Sequence, residues 1–394
     1  MRPSPTIALA AAALFALGWS CALSSFTKGD AVVMGGGGAG AAGGVGGTAA
    51  DGGSGGVGAS CQSDGYPPPP ATNDTNVRTE FFSVVREVNF RDRSDRAVGL
   101  DLDRRCTCDP TGFDEGPSCQ PNRDAEIVCD EGNGRDNAFF DIIELSKLLF
   151  QLDFEAVFSQ AAENGSASLL FRVQEWNRLP DDPQVTVSVY SATGRTDSPM
   201  WDGADVWPVS EGSLVAGGTI DEPRYVDTNA YVTNGQLVSG LVSNEIVFAG
   251  TTSRVVLELL GGGVVADIVD DPDRGLELRN GVIAGLVSEE GLFGALASYR
   301  DQDSQPFCPG SVAYGQAAAF FCDSRDATVN PQPGPTTACD AVSFAMGFNT
   351  EAVLGIDGII PDPPESNPCP GTLPTDCASF FGGDGGNGGG SAPL

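Results

Sequence analysis

Ser166–Trp176 reads SASLLFRVQEW and Gln184–Tyr190 reads QVTVSVY. Apolar and polar side chains alternate along both stretches, so each is a strand with one buried face. How far that period of two extends sets the fold class. Upstream, TEFFSVVREVNF (79–90) is β-branched and aromatic with partial alternation, and AVGLDLD (97–103) reads as a second strand. Downstream, AYVTNGQLVSGLV (230–242) carries Asn234-Gly235, a type I′ hairpin signal, and LELRNGVIAGLV (276–287) repeats it at Asn280-Gly281. Many short strands between turn signals predict a mainly β, α+β chain: an antiparallel β-sandwich or jelly roll.

Helical periodicity interrupts this pattern. Phe139, Phe140, Ile142, Ile143, Leu145, Leu148, Leu149 and Leu152 recur at helical spacing, with Asp136 or Asn137 as the cap. A second helix is expected over 153–162, stopped by Asn164-Gly165. Near the C-terminus, 288–301 (capped by Ser288), 311–326 and 338–348 read as three more helices.

The chain has 394 residues, but residues 35–58 and 382–390 are nearly all Gly and Ala or Gly, Asp and Asn. Neither segment has the apolar side chains to offset the entropy of ordering it. The expected organisation is a signal peptide (1–20), a Gly/Pro-rich tether (21–70), a β-sandwich domain with a Cys-rich loop and helical insertion (71–287), a helical disulfide-rich region (288–381) and a disordered Gly-rich tail (382–394).

A formal net charge of −32 repels phosphate backbones, which argues against nucleic acid as a partner. It also repels an anionic membrane surface, so membrane attachment has to be covalent. Histidine is absent, which removes Ser-His-Asp and Cys-His hydrolysis and His-ligated zinc or haem. The only lysines are Lys28 and Lys147, and no phosphate-cradling GxxxxGK[ST] occurs. An enzyme built from this inventory works through carboxylates.

Arg2 followed by the apolar run IALAAAALFAL (7–17) has the parts of a secretory signal, and the run is too short to span a bilayer. Ser20-Cys21-Ala22 follows, like the lipobox in which cysteine is thioether-linked to diacylglycerol; cleavage after Gly18 is the competing reading. Eleven cysteines are present, and setting Cys21 aside as the lipid attachment site leaves an even number. Those are Cys61, Cys106, Cys108, Cys119, Cys129, Cys308, Cys322, Cys339, Cys369 and Cys377, expected as disulfides in an oxidising compartment. The last five are expected to staple the C-terminal region to itself, with Cys61 taking the odd partner. The tether, a coil of about 35 residues with a span of roughly 30–35 Å, ends in YPPPP (66–70), a short polyproline II stiffener.

GLDLD (99–103), the cysteine loop (106–137), GRDNAFF (134–140), LRNGVIAG (278–285) and CDAVSFAMGF (339–348) together resemble uncharacterised lipoproteins of myxobacterial type. The resemblance spans most of residues 75–355. It implies a lipid-anchored place in the cell envelope or on the outer surface, with secretion as the alternative, and no particular activity.

Asp101 and Asp103 share one face of a strand while Leu100 and Leu102 share the other. Paired carboxylates need a cation, an arginine or water, and Arg104 and Arg105 follow directly. The loop Asp130–Asp141 adds Asp130, Asp136, Asn137 and Asp141. Asp101, Asp103, Asp136, Asn137 and Asp141 are therefore candidate calcium ligands, although Gly132 and Gly134 stand where an EF-hand places side-chain ligands. DDPDRG (270–275) reads as an acidic turn. Trp201 and Trp207, in the polar stretch MWDGADVWP, are candidates to stack on a glycan. Two functions remain: a non-catalytic envelope module, calcium-dependent in binding a protein or glycan ligand, or a glycosidase-like carboxylate hydrolase on a jelly roll.

Overall fold

The rings of Phe171 and Phe348 stack with centroids 5.1 Å apart, 14° from parallel. The two strands that carry them flank a common neighbour, Thr79–Asn89, in one sheet. The computed structural model describes residues 65–71, 77–108, 115–121, 127–150, 153–241, 243–249, 254–299, 307–330, 336–362, 369 and 371–381. Residues 1–20, expected to be a signal peptide, Cys21, the glycine-rich stretch, Cys61 and residues 382–394 lie outside these. No helix among the described residues is long and apolar enough to cross a membrane.

The strands are β1 (Thr79–Asn89), β2 (Ala167–Trp176), β3 (Asp182–Thr193), β4 (Val206–Ser210), β5 (Tyr225–Thr233), β6 (Gln236–Ser239), β7 (Ser243–Ala249), β8 (Arg254–Asp271), β9 (Gly275–Ser288), β10 (Ala341–Val353) and β11 (Gly355–Ile360). The helices are α1 (Phe139–Phe150), α2 (Phe154–Glu163), α3 (Glu289–Ser298), α4 (Val312–Asp323) and α5 (Cys377–Phe380). β3, β2, β1, β10, β9, β8, β6 and β5 neighbour one another in that order. β5 then pairs back onto β3, from Tyr225↔Val189 to Val232↔Asp182. The ring closes at eight strands, all antiparallel.

The expected sandwich or jelly roll is thus overturned. Two packed sheets keep open edges, whereas the β3–β5 pairing joins the ends of one sheet. Alternation within a strand is the same in either architecture; closure lies in pairings between residues distant in sequence. Eight strands leave an interior that side chains just fill. Val85, Leu169, Phe171, Val187, Leu278 and Phe344 are among the side chains that fill it. α1 adds Phe139, edge-on to Phe344 with centroids 5.1 Å apart.

β2 and β3 bury their outer faces too. Leu170, Tyr190 and Ala192 pack with Trp207 and Val209 of β4 in a second cluster. β4 branches from β3 and pairs in parallel with β11. β7 pairs with β8 outside the ring.

The two Asn-Gly signals part company. Asn234 and Gly235 both have positive φ (51° and 83°) and turn β5 into β6. At the second site only Asn280 does (49°), and β9 runs straight through. Gly281 there leaves room for the Phe348 ring, which a Cβ would strike. The chain reverses instead at the acidic turn, where Asp271 pairs with Gly275.

Residues 97–103 are no strand; they hold only isolated bridges, Arg91↔Ala97 and Leu100↔Asp136. The helix expected over 338–348 is overturned as well. Val342, Phe344, Met346 and Phe348 of β10 point into the barrel, and small Ala, Ser and Gly residues alternate with them. Those small residues disguised the period of two. With β10 between β1 and β9, the region set apart at 288 contributes a wall strand.

α3 and α4 begin at Ser288 and Ser311, whose side chains accept from the amides of Gly291 and Tyr314. Cys308–Cys369 and Cys322–Cys377 staple the C-terminal segment to itself. The remaining cysteine there does not stay local: Cys339 bonds Cys119, 220 residues away. Cys108 bonds Cys129, and Cys106 is also in a disulfide. The polyproline stretch is docked rather than free-standing, for Tyr66 packs on the outer barrel wall.

Candidate metal centre

Beyond Asn89, β1 no longer covers β10, and the segment 97–103 lies over the uncovered wall. Asn137 fixes it there. Its Nδ2 donates to the carbonyls of Val98 (2.7 Å) and Ala345 (3.1 Å), and its Oδ1 accepts from the Ala345 amide (3.1 Å). The next residue back, Asp136, uses Oδ2 to accept from the amides of Leu102 (2.6 Å) and Asp103 (3.2 Å). The outcome is a knot in which Asp101, Asp103 and Asp136 converge.

One carboxylate oxygen from each of the three lies within 4.8 Å of the others. Asp101 and Asp136 are each only 4 % exposed, and Asp103 is half-buried. Oxygens bound to one calcium at 2.3–2.6 Å stand at most about 5 Å apart, so the spacing admits that ion. Ser118 is buried beside Asp103, close enough to favour its charge, yet its hydroxyl meets no partner in hydrogen-bond geometry among the described residues.

Two further carboxylates stand behind these. Asp130 accepts from the Thr107 amide (2.6 Å), and Asp326 accepts from the amide (2.8 Å) and hydroxyl of Ser343. Desolvation, with repulsion from Asp103, Asp326 and Asp101, pushes Asp130 up to about 7. Desolvation first, then Asp103, pushes Asp326 up to about 7 against the Ser343 hydrogen bonds. Asp136 is raised well above the carboxylate range by burial, then by Asp103, Asp326 and Asp130. Asp103 is raised by burial and eased by Ser118 and Arg105. The cluster is a concentration of buried carboxylates whose repulsion protons or a cation relieve beyond what Arg105 and the local hydrogen bonds offset.

Of the sequence-selected ligands, Asp101, Asp103 and Asp136 come together. Asn137 spends its amide on the backbone of Val98 and Ala345 instead. Asp141 sits exposed in the first turn of α1, outside the cluster. Asp326 and Ser118 had no local signal: Asp326 ends a helical run, and only the fold returns it to Asp136.

The tryptophans form no open platform. Trp207 is fully buried. Trp201 is wedged between Trp207, 5.9 Å away, and the Arg86 guanidinium, 4.9 Å over its ring, and its Nε1 donates to Glu163 (3.3 Å). Glu277 and Glu351, buried side by side on the outer wall, are met by Arg274 and Arg279, and Arg86 also reaches Glu351. A groove of about 400 Å³ between α4 and α5 is lined by residues such as Val312, Tyr314 and Phe380, with none of the candidate ligands among them. No family model matches the chain, and no curated protein or solved structure matches it either.

Proposed function

We propose that this chain is an exported, lipid-anchored, non-catalytic envelope module whose barrel wall carries a structural calcium site at Asp101, Asp103 and Asp136. The convergence of their three oxygens within 4.8 Å carries the reading. Asp130 and Asp326 deepen the negative field behind them. An all-oxygen donor set with this spread favours calcium over magnesium, whose bonds of about 2.0–2.1 Å need a tighter cage. Ser118 offers one further oxygen. Export is supported by the leader and by four disulfides among the described residues, bonds that persist in oxidising compartments. The lipid anchor rests on Cys21 and on the resemblance to myxobacterial lipoproteins.

Thermal melting in EDTA and in calcium tests the site. Calcium at about 100-fold over its Kd adds about 2.7 kcal/mol, a rise of several degrees. No shift at millimolar calcium overturns the site. The intact mass of the native envelope form tests Cys21: a mass without diacylglycerol removes the anchor.

A further inference from the structure

We infer that Cys106 is bonded to Cys61, which leaves Cys21 as the one cysteine of this sequence without a sulfur partner. Cys106 is in a disulfide and is only 1 % exposed. The other eight described cysteines pair among themselves: Cys108 with Cys129, Cys119 with Cys339, Cys308 with Cys369 and Cys322 with Cys377. Of the eleven cysteines in the sequence, Cys21 and Cys61 are left as partners for Cys106.

Reach decides between them. Tyr66 and Leu102 pack in one cluster on the outer wall, with Val98, Leu100, Ala284 and Ala345. Tyr66 is seated there by shape: a Cβ on Gly263 would come within 2.6 Å of its hydroxyl. The Tyr231 hydroxyl donates to the Pro67 carbonyl beside it. Cys61 lies five residues before Tyr66, and Cys106 four residues after Leu102. Such runs span at most about 18 Å and about 14 Å, enough to bring the two Cα atoms within the roughly 4.4–6.8 Å of a disulfide. Cys21 lies 45 residues before Tyr66. With closure falling as about the −3/2 power of chain length, Cys21 meets Cys106 roughly thirtyfold less often than Cys61 does.

The bond forms by exchange with an oxidised disulfide of the compartment that receives the chain. The two thiols lose two protons and two electrons as their sulfurs join, and the donor's S–S bond opens to two thiols. The pairing thus rests on the export reading above, and it deepens the anchor reading, because the Cys21 sulfur alone is left for a lipid thioether. It also fixes where the tether joins the fold. The junction is Cys106, beside the wall segment that carries Asp101 and Asp103, rather than the start of β1 at Thr79.

The test is a non-reducing tryptic map of the native full chain, alkylated before digestion. We expect peptide 29–78, which holds Cys61, joined to 106–123, which holds Cys106, Cys108 and Cys119. Fragmentation between Cys106 and Cys108 is expected to place the bond at Cys106, and Cys106→Ser to add one alkylated residue, Cys61. Should Cys106→Ser fail to fold, the wild-type map decides alone. A bond from Cys106 to the peptide that holds Cys21 overturns the pairing and the anchor together. Cys61 and Cys106 both alkylated, beside four intact bonds, overturns the pairing and leaves export standing. Alkylation of every cysteine after Cys21 defeats the export reading itself.

Discussion

The side chain of Asn137 pairs with the backbone of Ala345 in both directions, donating to its carbonyl and accepting from its amide, each at 3.1 Å. β1 stops at Asn89, opposite Gly347, so the wall strand is bare at Ala345. One amide side chain continues the ladder that the strand abandons. Asn137→Ala leaves both backbone groups buried without partners and cuts the tie to Val98. A loss of about 3 kcal/mol is expected, read from the urea midpoint at constant m.

Asp136→Asn keeps the size of the side chain and removes a carboxyl whose charged form is opposed by burial and by Asp103, Asp326 and Asp130. The cation-free protein at neutral pH is expected to gain about 1 kcal/mol, because the fold no longer has to hold that carboxyl protonated or bear its charge. The calcium-dependent rise in Tm is expected to vanish. A variant that melts lower in EDTA and still responds to calcium shows that Asp136 is no ligand.

The cluster also gives the cation-free protein a defined pH response. Asp130 and Asp326 titrate at about 7 in the fold, against 3.8 for an ordinary aspartate. Between those values the native state holds protons that the unfolded chain has released. Stability from these groups is therefore complete below about pH 4 and is lost as pH rises through about 7. In EDTA, Tm is expected to fall between about pH 5 and about pH 8. In calcium the trend reverses, because protons and the cation compete for the same oxygens. A flat profile in EDTA contradicts the protonated cluster.

Cys119–Cys339 closes the longest covalent loop, 220 residues, and Cys119 Sγ lies 3.2 Å from the Asp326 carbonyl oxygen. Replacing both cysteines with serine is expected to cost up to about 5 kcal/mol in the chain-entropy model. Because the bond tethers the loop 98–137 near Asp326, calcium affinity falls with it. Calorimetry on the double variant, beside its denaturation curve, separates the two effects.

Local chemistry in this chain was legible wherever one segment decides its own conformation. Ser288 and Ser311 cap their helices, Asp153 opens α2 and Asn164 ends it, and Asn234-Gly235 turns its hairpin. Illegible were features decided by a partner far along the chain. Asn280-Gly281 carries the same two letters as the true hairpin, but a phenylalanine from β10 determines its use. β10 itself passed for a helix because its second face packs small residues under the loop 97–103. The candidate site divides the same way. Asp101 and Asp103 announce themselves by spacing, and Asp136 by its loop, whereas Asp326 joins them only through tertiary folding.

β1 takes its place beside β10, a strand that begins only at Ala341. β1 can pair early with β2, but its other edge cannot find β10 until most of the polypeptide has been synthesised. Assembly of such non-local partners is slow, and partly built ring edges are sticky in the meantime. Closure of the ring is therefore a late event, reached only when β10, the ring strand nearest the C-terminus, takes its place between β1 and β9.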